Sequence, residues 1–158
     1  MALLERASER LELMQATRSV AIVGMSANPS RASHFVATYL AGKTDWRVHY
    51  VNPRETEILG RPVYPTIGDI PETVDMVDVF RRTDDLPTVV DDAVAAGANS
   101  VWFQLGLVHD DAAEVAVCAG LDVVQNRCLK IEHARFAGGL RTAGFVTGVI
   151  DSRRDRLI

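Results

Sequence analysis

The sequence predicts an α/β fold: a doubly wound parallel sheet of about five strands with helices on both faces. Short apolar, β-branched runs such as Ser19-Val20-Ala21-Ile22-Val23-Gly24 lack the alternation of a strand with one wet face, and so read as strands covered on both sides. Segments with apolar residues at helical spacing lie between those runs. Strand and helix therefore alternate, and successive strands are joined by crossovers. At 158 residues the chain has room for one core of ordinary size.

Leu4, Ala7, Leu11 and Met14 step by three and four among charged residues, which predicts an amphipathic helix over about residues 3–17, packed on an edge of the fold. The first strand follows from Ser19. Phe35, Val36, Tyr39 and Leu40 then repeat at helical spacing, with Gly42 as the stop. Residues 46–51 read as the second strand and 75–80 as the third, separated by a Pro-rich connection, 53–71, too long for a plain turn. Leu86, Val89, Val90, Ala93 and Val94 predict the next helix, capped by Thr83 or Asp84, with Pro87 in its first turn and Gly97 as its stop. A strand at 100–104, a helix at 110–119 ended by Gly120, and a short strand at 121–124 complete the alternation. No linker or low-complexity segment interrupts it, so residues 1–158 read as a single domain with a core at about 19–136. The tail, 137–158, is Gly-rich and then charged, and its pattern assigns it to no element.

Lys and Arg number 17 against 21 Asp and Glu, for a net charge of −4. Nucleic-acid binding through broad phosphate neutralisation is therefore not expected. No run reaches the roughly 18–20 apolar residues of a membrane-spanning helix, and residues 1–18 are too charged for a signal peptide, so a cytoplasmic setting is expected. Cys118 and Cys128 are the only cysteines; Cys118 falls in an apolar helix pattern, and both are expected to be reduced.

In an open α/β sheet the ligand crevice lies beyond the carboxyl ends of the strands, where strand order reverses. Gly24 to Ser33 follows the first strand and leads into a helix, so its small hydroxyl residues, exposed backbone and helix N-terminus suit an anion, with Arg31 adding charge. The purely structural reading has Ser30 or Ser33 capping the helix and Gly24 making the turn. The glycine fingerprint of a nicotinamide dinucleotide site is missing, because Ser26 and Pro29 stand where glycines are needed. The acidic ribose reader is missing too. The second strand ends Val51-Asn52-Pro53-Arg54, which suits a nucleotide with an extra phosphate, or else simply turns the chain.

Taken together and in order, Gly24-x-Ser26, Pro29-x-Arg31-x-Ser33, Val51-Asn52-Pro53, Gly60-Arg61-Pro62-Val63-Tyr64, Val77-Asp78-Val79-Phe80-Arg81-Arg82, Val101-Trp102-Phe103-Gln104-Leu105-Gly106 and Asn126-Arg127-Cys128 resemble the motif series of the small bacterial stand-alone CoA-binding domain proteins. That domain is similar to the N-terminal CoA-binding domain of the succinyl-CoA synthetase α subunit. The resemblance implies a Rossmann-like sheet with coenzyme A as the ligand. It further implies that Gly24, Met25, Ser26, Asn28, Arg31 and Ser33 hold the pyrophosphate, while Asn52, Pro53 and Arg54 lie near the adenosine and its extra phosphate. Phe80 and Arg81 border the adenine, Gln104 and Gly106 border the pantetheine arm, and Asn126 and Arg127 complete the set. Local cations make physical sense of this on an acidic chain, since Arg31, Arg54, Arg81, Arg82 and Arg127 all follow predicted strands; singly, each is an ordinary solubilising arginine.

The synthetase also uses a phosphorylated histidine in a second domain and a β subunit, and nothing in this sequence supplies either, so ligase activity is not expected. His34, His49, His109 and His133 show no metal-ligand spacing, and His109 is expected to cap a helix or face solvent. Cys128, beside Arg127 and ahead of a helix, reads either as a packing cysteine or as a thiol that exchanges with oxidised CoA. The leading expectation is a CoA or acyl-CoA binding protein acting as a non-catalytic carrier, sensor or regulatory module. The alternatives are an NAD(P)-dependent oxidoreductase, an acyl-CoA enzyme with unrecognised catalytic residues, or an interaction subunit. A homo-oligomer or a protein partner stays open.

Overall fold

The computed structural model describes residues 1–137. They form α1 (Ala7–Ala16), β1 (Ser19–Val23), α2 (Ala32–Lys43), β2 (Arg47–Val51), β3 (Glu57–Ile58), β4 (Arg61–Tyr64), β5 (Met76–Val79), α3 (Leu86–Ala95), β6 (Ser100–Phe103), α4 (Asp110–Cys118), β7 (Asp122–Val124) and α5 (Leu129–Phe136). The predicted tail lies outside the described residues, Ala137 excepted. One sheet runs β3-β4-β2-β1-β5-β6-β7. All its pairings are parallel except β3 with β4. No described helix is long and apolar enough to cross a membrane.

This is the expected α/β architecture, with seven strands rather than about five. The additional pair, β3 and β4, sits inside the 53–71 connection and turns through Leu59 and Gly60, both at positive φ (52° and 72°). Strands of two and four residues carry no readable period, and Pro62 argues against a strand by composition. What makes this segment a strand is the edge of β2, which pairs Tyr50 with Val63 and Val51 with Tyr64.

β1, β5 and β6 are buried along their whole lengths, the reason their sequences do not alternate. Ala21, Val23, Val77, Val79, Val101 and Phe103 face α3 and α4, which contribute Leu86, Val90, Ala113 and Ala116. Val20, Ile22, Met76 and Trp102 face α1, α2 and α5, which contribute Met14, Leu40, Leu129 and Phe136.

Local details depart from expectation for identifiable reasons. The first helix begins at Ala7 rather than near residue 3, because the chain before it is extended and continues the sheet beyond β7. Leu3 bridges Val123 in parallel, the Leu4 amide donates to Val123 O (2.7 Å), the Val123 amide donates to Ala2 O (2.9 Å), and the terminal ammonium pairs with Asp122. α1 lies on α5, where buried Arg10 meets buried Glu132 at 3.1 Å. α2 runs through Gly42 to Lys43 and ends where the Thr44 hydroxyl donates to Leu40 O (2.7 Å). Neither Thr83 nor Asp84 caps α3; residues Thr83–Asp85 form a 3-10 turn that feeds it. His109 does cap α4, its Nδ1 accepting from the Ala112 amide at 3.0 Å.

One buried group stands apart from this packing. Asp78, at the centre of β5, lies in register between Ile22 of β1 and Trp102 of β6. It is fully buried, and neither carboxyl oxygen has a hydrogen-bond partner. Burial pushes this carboxyl well above the usual Asp range, because desolvation penalises the charged form.

Candidate functional site

β1 lies between β2 and β5, and the chain builds outward from it in both directions, so strand order reverses beside its carboxyl end. Gly24 closes that end. The Gly24 amide donates to Val51 O (3.0 Å) and the Phe80 amide to Val23 O (2.8 Å), which ties the ends of β2, β1 and β5 together. Gly24 has φ +85°, and a Cβ there would stand 2.2 Å from the Phe80 carbonyl oxygen, so no other residue fits.

The loop that follows is organised by its own polar groups. Met25 is fully buried as its anchor, and Met25 O accepts from Asn52 Nδ2 at 2.7 Å. The Ser26 amide donates to Ser33 Oγ (3.0 Å), the Asn28 amide to Ser26 Oγ (3.1 Å), and the Ser30 amide and hydroxyl to Asn28 Oδ1 (3.0 and 2.8 Å). Ser33 thus folds the loop back instead of capping α2. No side chain caps α2, whose N-cap position is Arg31, so its first amides are available to an anion.

Two adjoining hollows open at this edge. The first, about 440 Å³, is lined by Gly24, Ser26, Arg31, Ala32, Ser33, Phe80, Arg81, Gln104, Leu105 and Leu107. Gln104 is buried, its Oε1 accepting the Leu129 amide at the start of α5 (3.0 Å). The second, about 500 Å³, is lined by Arg54, Phe80, Arg81, Arg82 and Asp85. Phe80 and Arg81 belong to both. Arg81 also borders a smaller hollow of about 170 Å³ that takes in Pro53. Arg81 pairs with Asp85 at 3.2 Å, whereas Arg31, Arg54 and Arg82 have no carboxylate partner among the described residues.

Of the residues singled out from the sequence, Gly24, Ser26, Arg31, Ser33, Phe80, Arg81 and Gln104 are brought together around the first hollow, with Arg54 in the second and Pro53 in the third. Met25, Asn28 and Asn52 shape the walls without lining them; the Asn52 side chain is used between Met25 O and the Arg54 amide. Asn126, at φ 56°, accepts from the Gly106 amide (2.8 Å) and braces the loop after β6. Arg127 is set apart: its side chain borders a different hollow with Leu3, Leu4, Glu5, Arg10 and Gln125. Cys128 sits half-buried at the N-cap of α5 and, like Phe80, packs against the apolar cluster under α1, α2 and α5, and Cys118 is exposed on α4; both thiols are unpaired. Sequence reasoning missed Ala32, Leu105, Leu107 and Asp85. Leu105 and Leu107 flank Gly106, and Asp85 stands four residues after Arg81, spacings that become informative only when the cleft is known.

Residues 18–134 match the CoA binding domain family. The chain is 32% identical over 127 residues to the uncharacterized protein YneT of Bacillus subtilis, covering 80% of this chain and 93% of that one. A solved structure of a hypothetical protein from Pyrococcus horikoshii superposes with a TM-score of 0.79 at 36% identity, covering 85% of this chain and 94% of that one. An ADP-forming acetate–CoA ligase of Archaeoglobus fulgidus is 26% identical over 128 residues, which is 75% of this chain and 18% of the ligase.

Proposed function

The chain belongs to the CoA binding domain family, and on that footing we propose that it binds CoA or an acyl-CoA in the cytoplasm, as a single-domain carrier, sensor or regulatory module without catalysis of its own. The observation that carries this reading is the run of arginines around the double hollow, with three of the four free of carboxylate partners among the described residues. A protein of net charge −4 gathers cations in one place at a cost in mutual repulsion, and a multiply phosphorylated ligand offsets that cost. In this reading the pyrophosphate takes Arg31 and the first amides of α2, the adenine lies against Phe80, and the ribose phosphate meets Arg54, Arg81 and Arg82. The pantetheine arm follows Gln104 and Leu107, with an acyl group leaving past Leu105, which is 66% exposed. A dinucleotide reading is disfavoured because the residue that follows β2, where an acidic ribose reader would stand, is Asn52. Ligase chemistry is not carried over from a relative of which less than a fifth is shared.

Calorimetric titration of the protein with CoA, acetyl-CoA, NAD and NADP tests the reading. Saturable binding of CoA or acetyl-CoA is expected, and Arg54→Ala should weaken CoA by about tenfold, the worth of a charge-assisted hydrogen bond. Binding of NAD without CoA, or of none of the four, overturns it.

A further inference from the structure

The second hollow holds a group that a phosphate site does not need. Arg54, Arg81, Arg82 and Asp85 surround it, three guanidinium groups and one carboxylate. Asp85 Oδ2 accepts from Arg81 Nη2 at 3.2 Å and Nε at 3.4 Å. Asp85 immediately precedes α3 but makes no capping hydrogen bond to it, so its carboxylate is committed to Arg81. Both side chains are about 40% exposed, which leaves each free to move.

We propose that Asp85 is an internal competitor for the ribose phosphate of the ligand, occupying Arg81 until that phosphate displaces it and so setting how readily the ligand leaves. This deepens the CoA reading and rests on it. A phosphate monoester carries nearly two negative charges near neutral pH and exceeds a single carboxylate as a partner for Arg81. The displaced carboxylate remains beside the first turn of a ten-residue helix, whose dipole favours a negative charge there. Opening the pair is therefore cheap, and the exchange is reversible. Asp85 acts on the ligand only through Arg81.

The test is calorimetry on the full chain with CoA and with dephospho-CoA, which lacks the ribose phosphate. Asp85→Asn should bind CoA about three- to fivefold tighter, the scale of one exposed ion pair, and dephospho-CoA with unchanged affinity. In an Arg81→Ala background the gain from Asp85→Asn should vanish. Unchanged or weaker CoA binding by Asp85→Asn, an equal gain for both ligands, or a gain that persists without Arg81 overturns the competitor role. If wild type binds CoA over dephospho-CoA but Asp85→Asn changes nothing, only that role fails. If wild type binds neither, the CoA reading fails with it.

Discussion

Replacing Asp78 with Asn should stabilise the protein, and by an amount that grows with pH. Asp78 is fully buried between Ile22 and Trp102 with both oxygens unpartnered. An unsatisfied buried carboxyl costs about 1–3 kcal/mol even when neutral, but Asn leaves a similar amide in the same place, so that part largely cancels. The protonation part does not. Burial raises the folded-state pKa well above the 3.8 of the unfolded chain, so between those two values the folded protein holds one proton more than the unfolded one. Stability from this group is fully present below pH 3.8 and falls as pH rises, by about 1.4 kcal/mol per unit, until the folded-state pKa is passed. Glu72 works in the opposite sense: Arg47 and His49 hold it down to about 2, and the stability it adds is lost as pH falls from 4.5. That contribution is common to both proteins. The difference between wild type and Asp78→Asn, from urea unfolding followed by circular dichroism, should therefore widen as pH rises above 3.8, at about 1.4 kcal/mol per unit, until the folded-state pKa is passed. Parallel pH profiles would show that the carboxylate is accommodated in the fold and would sink the reasoning.

Gly24→Ala should lose more than about 2 kcal/mol of stability and abolish ligand binding, since the added methyl meets the Phe80 carbonyl at 2.2 Å and the ends of β1 and β5 must separate. Thermal unfolding and a CoA titration check it; a stable, binding-competent variant refutes the close approach. Glu132→Ala leaves the buried Arg10 guanidinium, and Arg135 one turn along α5, without their shared carboxylate and should cost about 3–5 kcal/mol in urea unfolding, while the double variant Arg10→Met with Glu132→Leu should recover part of it, Arg135 remaining unpaired. Equal losses in the single and double variants would mean that packing, not charge, holds α1 on α5.

The alternation of strands and helices was legible because it depends on local pattern: a run such as 20–23 is apolar on every residue only where helices cover both faces of the sheet. The Gly24–Ser33 loop was legible for a similar reason, since a glycine at a strand end followed by small hydroxyl residues and a helix has few local conformations open to it. Residues 57–64 were not, because a four-residue strand containing Pro62 draws its stability from the free edge of β2, a partner distant in sequence. The same holds for Leu3 against β7 and for Arg10 against Glu132.

Periodicity and turn chemistry are written residue by residue, so the chain alone announces an α/β sheet and the segments that reach its carboxyl edge. It does not announce which of those segments converge. Arg54, Arg81, Arg82 and Asp85 form one hollow while Arg127, on an equally suggestive motif, faces another. Convergence depends on strand order and on which face of the loop each side chain leaves, and both are settled by long-range pairing that no local pattern encodes.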